Sequence, residues 1–374
     1  MSVALSTLWF ERHRFFSAVL AIAFSTVLIC IQFGLLLGLF ALTSVPIDYS
    51  EADIWMSGPG VVSVDVGKPI PKSYSNRLEA QPEITETEAL SVGFQYWTKP
   101  DGGAELCIIV GSTLKEKSLG AVSQLTPELR SLLTEEGAVV IDESDMDKLG
   151  VKKVGDVAQI ANRDIRVVGI VRGLGSLQGA YVFCSLETAK SLIFLNQEQT
   201  IYVLGKCRNK DDVETVVNRL KKYEGRAAMT VQTSDSFSYQ SRMHWLTKTK
   251  AGLAMGFSCL LGVLVGAVVT RQSLYSATIA SIREYAVLRA MGIPRWRMAW
   301  NLIALSFWVG LAGVVLSLPI IFITIQVAAY LYLPILMPWW LLVGAMVVTW
   351  TVAIFAGLTT LHSLLHVQPM LLLR

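Results

Sequence analysis

Long stretches without a single charge alternate with one segment rich in them. No Asp, Glu, Lys or Arg stands between Arg14 and Asp48, from Ala251 to Thr270, or from Met298 to Leu373. An α-helix rises about 1.5 Å per residue, so about 20 apolar residues cross a bilayer core. The first two stretches each fit one span. The third fits two, with Pro334 and Pro338 marking a turn near its middle. The pattern predicts transmembrane helices over 15–43, 251–270, 302–327 and 339–361, with 328–338 as a short connecting loop. The first run exceeds the roughly 7–15 apolar residues of a cleaved signal, so an uncleaved helix is expected. Residues 1–14 read as an amphipathic segment, and Phe10, Glu11, His13 and Phe15 as an interfacial lead-in lying on the inner leaflet.

Residues 44–250 follow a different rhythm, short apolar runs separated by turn signals. Gly137–Asp142 (GAVVID) reads as a buried strand. Val157–Ile160 and Ile165–Val171 flank the polar turn Ala161-Asn162-Arg163-Asp164, which predicts a hairpin. Gly173-Leu174-Gly175 then ends the strand run. Ser185–Phe194 begins with a capping Ser and continues at helical spacing. Asp211–Tyr223 is an amphipathic helix, acidic first and basic last as the helix dipole favours, with Val213, Val216, Val217 and Leu220 on one face. The segment is expected to be a mixed α+β domain, large enough for its own core. Residues 232–250 are polar and continuous, and predict an outward extension of the second span as a stalk.

Charge gives orientation. Residues 44–250 hold 24 of the 32 Lys and Arg and 27 of the 29 Asp and Glu. The short flanks of the spans are basic instead: Arg12, Arg14, Arg271, Arg283, Arg289, Arg295, Arg297 and Arg374. Basic short flanks stay in the cytoplasm, which places both termini (1–14 and 362–374) and residues 271–301 inside, and the domain outside. Lys248 and Lys250 run against the rule but are outnumbered.

Within 271–301, Leu274, Thr278, Ile282 and Tyr285 form one helical stripe, Gly292 suits a left-handed helix end and Pro294 stops the helix. An apolar stripe with a sharp stop predicts docking onto a cytoplasmic partner. Gly34/Gly38 in the first span, and Gly252/Gly256 and Gly262/Gly266 in the second, are spaced for close helix packing, within the chain or across a dimer. Gln32 and Gln326 are expected to make interhelical hydrogen bonds.

Catalytic signatures are missing. There is no GxxxxGK[ST], HExxH or GxSxG, and no charge inside a span to suggest an ion relay. His362 and His366 lack a third ligand, so no metal site is expected. The five cysteines form neither a disulfide framework nor a zinc pattern; Cys107, Cys184 and Cys207 allow at most one internal bridge. A membrane enzyme is therefore disfavoured.

The segment SIREYAVLRAMGIPRWRM resembles the RE-x-x-x-LRA-x-G segment of MacB/FtsX-type ABC permeases, through Arg283-Glu284, Leu288-Arg289-Ala290 and Gly292. GAVVIDESDMDKLGVKKVGDVAQI and IRVVGIV resemble the core of the MacB-type periplasmic domain, and AIAFSTVLICIQFG in the first span is similar to the DevC-like subgroup. The layout of one span, a large domain and three spans agrees. The C-terminal DP-x-x-x-LR of many relatives stands here as Val367-Gln368-Pro369 to Arg374, without the acidic residue.

The resemblance implies a homodimeric permease in the inner membrane, with a periplasmic domain of the MacB core type. It implies a separate cytoplasmic ABC ATPase that binds the ATP and Mg, this chain itself holding no cofactor. Ile282, Arg283, Glu284, Leu288, Arg289, Met291 and Gly292 would form the coupling contact to that ATPase. By mechanotransmission, ATP hydrolysis would drive the outer domain to export a lipid or other amphiphile, with a membrane-fusion adaptor and an outer-membrane channel as partners and no nucleic acid. Alternatives are an FtsX-like signalling subunit that activates a cell-wall hydrolase, or haem or lipoprotein handling on the same architecture.

Overall fold

The computed structural model describes residues 10, 12–222, 229–280, 287, 291 and 294–365. Its main helices are α1 (Arg12–Ala41), α2 (Val45–Asp48), α3 (Leu186–Leu192), α4 (Val213–Lys221), α5 (Ser234–Lys248), α6 (Lys250–Ala280), α7 (Arg295–Tyr330) and α8 (Trp339–Leu365). Its main strands are β1 (Ile54–Ser57), β2 (Ile84–Thr98), β3 (Ala104–Ser112), β4 (Ala138–Asp142), β5 (Val157–Ile160), β6 (Arg163–Val171), β7 (Ala180–Ser185), β8 (Tyr202–Cys207) and β9 (Thr230–Thr233). The chain divides into two compact units, residues 39–249 and the rest.

Among the described residues, the helical unit has four helices long and apolar enough to cross a membrane: His13–Ala41, Lys250–Ala277, Ile303–Tyr330 and Trp339–Ala356. Helices suit that environment because every backbone group is satisfied within the segment. They pack through small residues. Gly310 lies against Trp350 and Ala353, and a Cβ on Gly313 would run into Ile22. Trp350 meets Phe307 edge-on at 4.8 Å between ring centres. Phe15, Ala18 and Ile22 of α1 share a core with Leu274, Ala277, Leu305, Val309, Ala353 and Ala356. Leu274, expected on a face that docks a partner, is thus buried among helices of its own chain. Of that stripe, the side chains of Thr278, Ile282 and Tyr285 lie outside the described residues.

The domain is built on a nine-stranded sheet of order β9-β1-β8-β2-β3-β7-β4-β6-β5. The far end of β2 also pairs with β5, through Trp97–Ile160 and Thr98–Gln159, so β2, β3, β7, β4, β6 and β5 close into a six-stranded barrel. The pairs β3–β7 and β4–β6 are parallel. Trp97 plugs the barrel, fully buried, with its indole N–H on the Leu149 carbonyl at 3.0 Å. The expected hairpin is present as β5–β6, but its turn is the two residues Ala161-Asn162 rather than four. Both have positive φ, 53° and 62°, the conformation that matches strand twist in a two-residue hairpin. On the open half of the sheet, Val213, Val216, Val217 and Leu220 of α4 cover Ile54, Met56, Val203 and Val231. Arg219 grips Glu83 at 2.8 Å and holds that carboxyl below its usual range.

The expected continuous stalk is instead two helices. α5 ends at Lys248, and Thr249 is extended (φ −102°, ψ 147°) before α6 begins. The cysteines are all buried and free, with no disulfide among them. Burial pushes the Cys107 thiol up to about 12 and the Cys207 thiol up to about 11.

Candidate functional site

Two stretches of chain connect the domain to the membrane helices: residues 42–49, entering, and α5, leaving. The domain binds these stretches to each other. Pro46 in the first turn helps start α2, which ends at Asp48. Asp48 accepts from Ser44 Oγ, from Ser238 Oγ at 2.6 Å and from Arg242 Nη2, while Arg242 Nε donates to Ser44 Oγ at 2.8 Å. Serine, carboxylate and guanidinium therefore form a closed ring of hydrogen bonds. The ion pair is partly shielded, its side chains 40% and 26% exposed.

α5 is fixed along its length. Thr233 caps it by accepting from Ser236 N at 3.2 Å. Phe237, Ser238, Ser241, Arg242 and Trp245 recur at helical spacing and share one face. Phe237 is buried against Trp55 and Tyr202, with ring centres at 5.6 and 5.8 Å. Ser241 Oγ accepts from Val64 N, Trp245 Nε1 donates to Ser63 Oγ at 3.1 Å, and Gln240 Nε2 reaches Val61 O at 3.0 Å.

From this helix the network continues to the barrel. Asp65, buried, accepts from Ser63 Oγ and from Gln178 Nε2 in the loop between β6 and β7. That loop is tied to the end of β4 by Leu174 N on Asp142 Oδ2 at 2.7 Å and by Arg172 on Glu143 at 2.8 Å. Tyr181 of β7 donates to Leu42 O at 3.3 Å, and Tyr202 to Val64 O at 2.8 Å. Burial pushes both phenols far up, so each keeps the proton it donates. The site joins charges and hydroxyls with no exposed nucleophile paired to a base. Among the described residues no group of three His, Cys, Asp or Glu could hold a metal ion. What the arrangement does is tie the two connecting stretches to each other and to the domain they lead into.

Sequence reasoning did not single out Ser44, Asp48, Ser238 or Arg242. Their one signal is position, an acid just after the first span and a base just before the second. Of the residues it did single out, Gly262 and Gly266 face α1: a Cβ on the first would overlap the Gln32 amide and one on the second would meet Ser25. Ser25 Oγ donates to Gly266 O at 3.1 Å, and Thr270 Oγ1 to Ser25 Oγ at 3.2 Å. Gln32 Oε1 is buried without a donor, although the Gln32 carbonyl receives Cys259 Sγ. Gly34 and Gly38 face the 334–337 segment rather than α6. Gly252 is buried and Gly256 half-buried. Met291 is exposed, while Ile282, Arg283, Glu284, Leu288, Arg289 and Gly292 lie outside the described residues.

Two families match the chain, one after the other along its length. Residues 15–223 match the MacB-like periplasmic core domain, and residues 256–369 the FtsX-like permease C-terminal region. The chain belongs to the MacB/FtsX-type ABC transporter permeases. The permease is thus a multi-pass membrane protein whose α/β domain is of the MacB core type. It is 23% identical over 236 residues to an uncharacterized ABC transporter permease of Methanocaldococcus jannaschii, covering 59% of this chain and 58% of that one. The permease therefore spans a little over half the length of that relative. Similar solved structures include the periplasmic region of MacB from Actinobacillus actinomycetemcomitans, at 15% identity, 52% of this chain, 94% of that one and a TM-score of 0.35. The extracellular domain of the noncanonic ABC-type transporter YknZ from Gram-positive bacteria is 12% identical, over 48% of this chain and 99% of that one, with a TM-score of 0.35.

Proposed function

We propose that this chain is the permease subunit of an ABC exporter that works by mechanotransmission. A separate cytoplasmic ATPase binds and hydrolyses ATP, the resulting helix movements enter the domain through residues 42–49 and α5, and the domain drives export of a lipid or other amphiphile. The reading places the chain in the inner membrane as a homodimer, with both termini in the cytoplasm and with a periplasmic adaptor and an outer-membrane channel. The observation that carries it is the occurrence of both matched regions in one chain, in the order expected of such permeases. Charge-free spans support it, because they offer no polar conduit. So does the Asp48–Arg242 ring, which links both connections of the domain at a single point.

Co-purification from membranes in mild detergent tests the reading. A stoichiometric ATPase with a coiled-coil adaptor supports the tripartite exporter. An ATPase with a cell-wall hydrolase moves the assignment to a signalling subunit. A surviving dimer with no ATPase sinks both.

A further inference from the structure

The segment joining α7 to α8, residues 331–338, has the composition of neither a water-exposed loop nor a span. It lies within a run free of Asp, Glu, Lys and Arg from Met298 to Leu373. It has two faces. Pro334, Ile335 and Met337 turn towards α1, where a Cβ on Gly34 would meet Met337 and Ile335 and one on Gly38 would overlap the Pro334 carbonyl. The other face presents Leu331, Tyr332, Leu333 and Leu336, 47–56% exposed, between Tyr330 at 84% and Trp339 at 76%.

Five of the segment's six backbone N–H groups, all but that of Met337, have a carbonyl partner within the protein. The N–H groups of Leu331, Tyr332, Leu333 and Ile335 bond to Val327, Ala329, Ala328 and Leu333 carbonyls, and Leu336 N reaches Gly34 O at 3.0 Å. Pro334 and Pro338 have no N–H to satisfy. A loop in water has no need of this, since solvent takes its donors. A loop among lipid does need it, because no water is there to pair a bare backbone group. Tyr and Trp at both ends are the residues that settle at the headgroup level.

We propose that residues 331–336 insert as a wedge into the acyl–headgroup boundary of the leaflet they face, with phospholipid acyl chains as the occupant of the Leu331, Leu333 and Leu336 surface. Lipid is the one partner that must be present, since the segment joins two membrane spans without a charged residue between them. The wedge is keyed to α1 through Gly34 and Gly38, at the end from which the chain leaves for the domain. Given the exporter reading, movement of α1 would then disturb the lipid from which an amphiphile is drawn; the insertion itself does not depend on that reading.

The buried native cysteines leave single introduced thiols as the accessible ones. Leu333→Cys and Leu336→Cys, each carrying an environment-sensitive fluorophore, are reconstituted as the full chain in phosphatidylcholine–phosphatidylglycerol nanodiscs. Phe194→Cys on the domain, at a position 70% exposed, serves as the aqueous control. Strong quenching by lipids bearing a nitroxide just below the headgroup, with iodide quenching several-fold weaker than at the control, is the expected result. Iodide quenching equal to the control at both sites overturns the proposal. Leu331→Cys gives a third reading if either variant misfolds. No ATPase is needed, so failure here and failure of the exporter reading are separable.

Discussion

Asp48 accepts from two hydroxyls and a guanidinium, and removing it takes an acceptor from all three donors. Asp48→Ala and Arg242→Ala should each loosen α5, and the two losses should overlap. A double-mutant cycle is expected to give a coupling of about 1 kcal/mol, modest because the pair is partly solvated. Strict additivity in hydrogen exchange across residues 234–249 would show that the ring is not a unit. A second acid makes a pH prediction. Asp145 is buried, its Oδ2 has no partner, and burial pushes its carboxyl up to about 6. An acid raised in the folded state ionises first in the unfolded chain, so it weakens the fold as pH climbs from about 4 towards 6 and stays a burden above that. Asp145→Asn should therefore protect the barrel from hydrogen exchange at pH 7 and do so progressively less towards pH 4. A benefit independent of pH would mean that the effect is packing rather than charge.

Among the elements, the membrane glycines separate by what an added methyl would meet. On Gly262 it would push the end of a flexible Gln32 side chain, which can rotate away. On Gly38 it would press on the Pro334 backbone, which cannot. Gly38→Ala should cost about 1–3 kcal/mol, as overpacking typically does, and Gly262→Ala clearly less. Thermal stability in detergent ranks them, and the reverse order would contradict the packing described. The spans were legible because absence of charge over some 20 residues has few other causes. α4 and the β5–β6 hairpin were legible from their own short period. The barrel was not, because β3–β7 and β4–β6 are parallel pairs between strands distant in the chain, and no local pattern names a strand's partner. Leu274 shows the same limit in a helix: its place in an apolar stripe does not say which helices cover it. The hydrogen-bonded ring was invisible for a simpler reason, being made of single polar residues that no motif contains.

At the scale of the whole molecule, the proposed function sets two ends of one mechanical path against each other. Leu288→Asp with Arg289→Asp lies at the cytoplasmic end and is expected to separate ATP hydrolysis from export while the domain stays folded. Asp48→Ala with Arg242→Ala lies at the root of the domain. It should leave ATPase binding and hydrolysis near normal and lower export. Export assays beside ATPase assays distinguish the two, and normal export by both variants would dismiss the path. The ring has a further consequence for how the protein is made. Asp48 and Arg242 are 194 residues apart, so the first partner emerges long before the second. A growing chain cannot lock the root of the domain until nearly all of it has been synthesised. The contact that joins the two membrane connections is thus among the last that synthesis makes possible within the domain, and a chain cut short before Arg242 leaves that domain on a single tether.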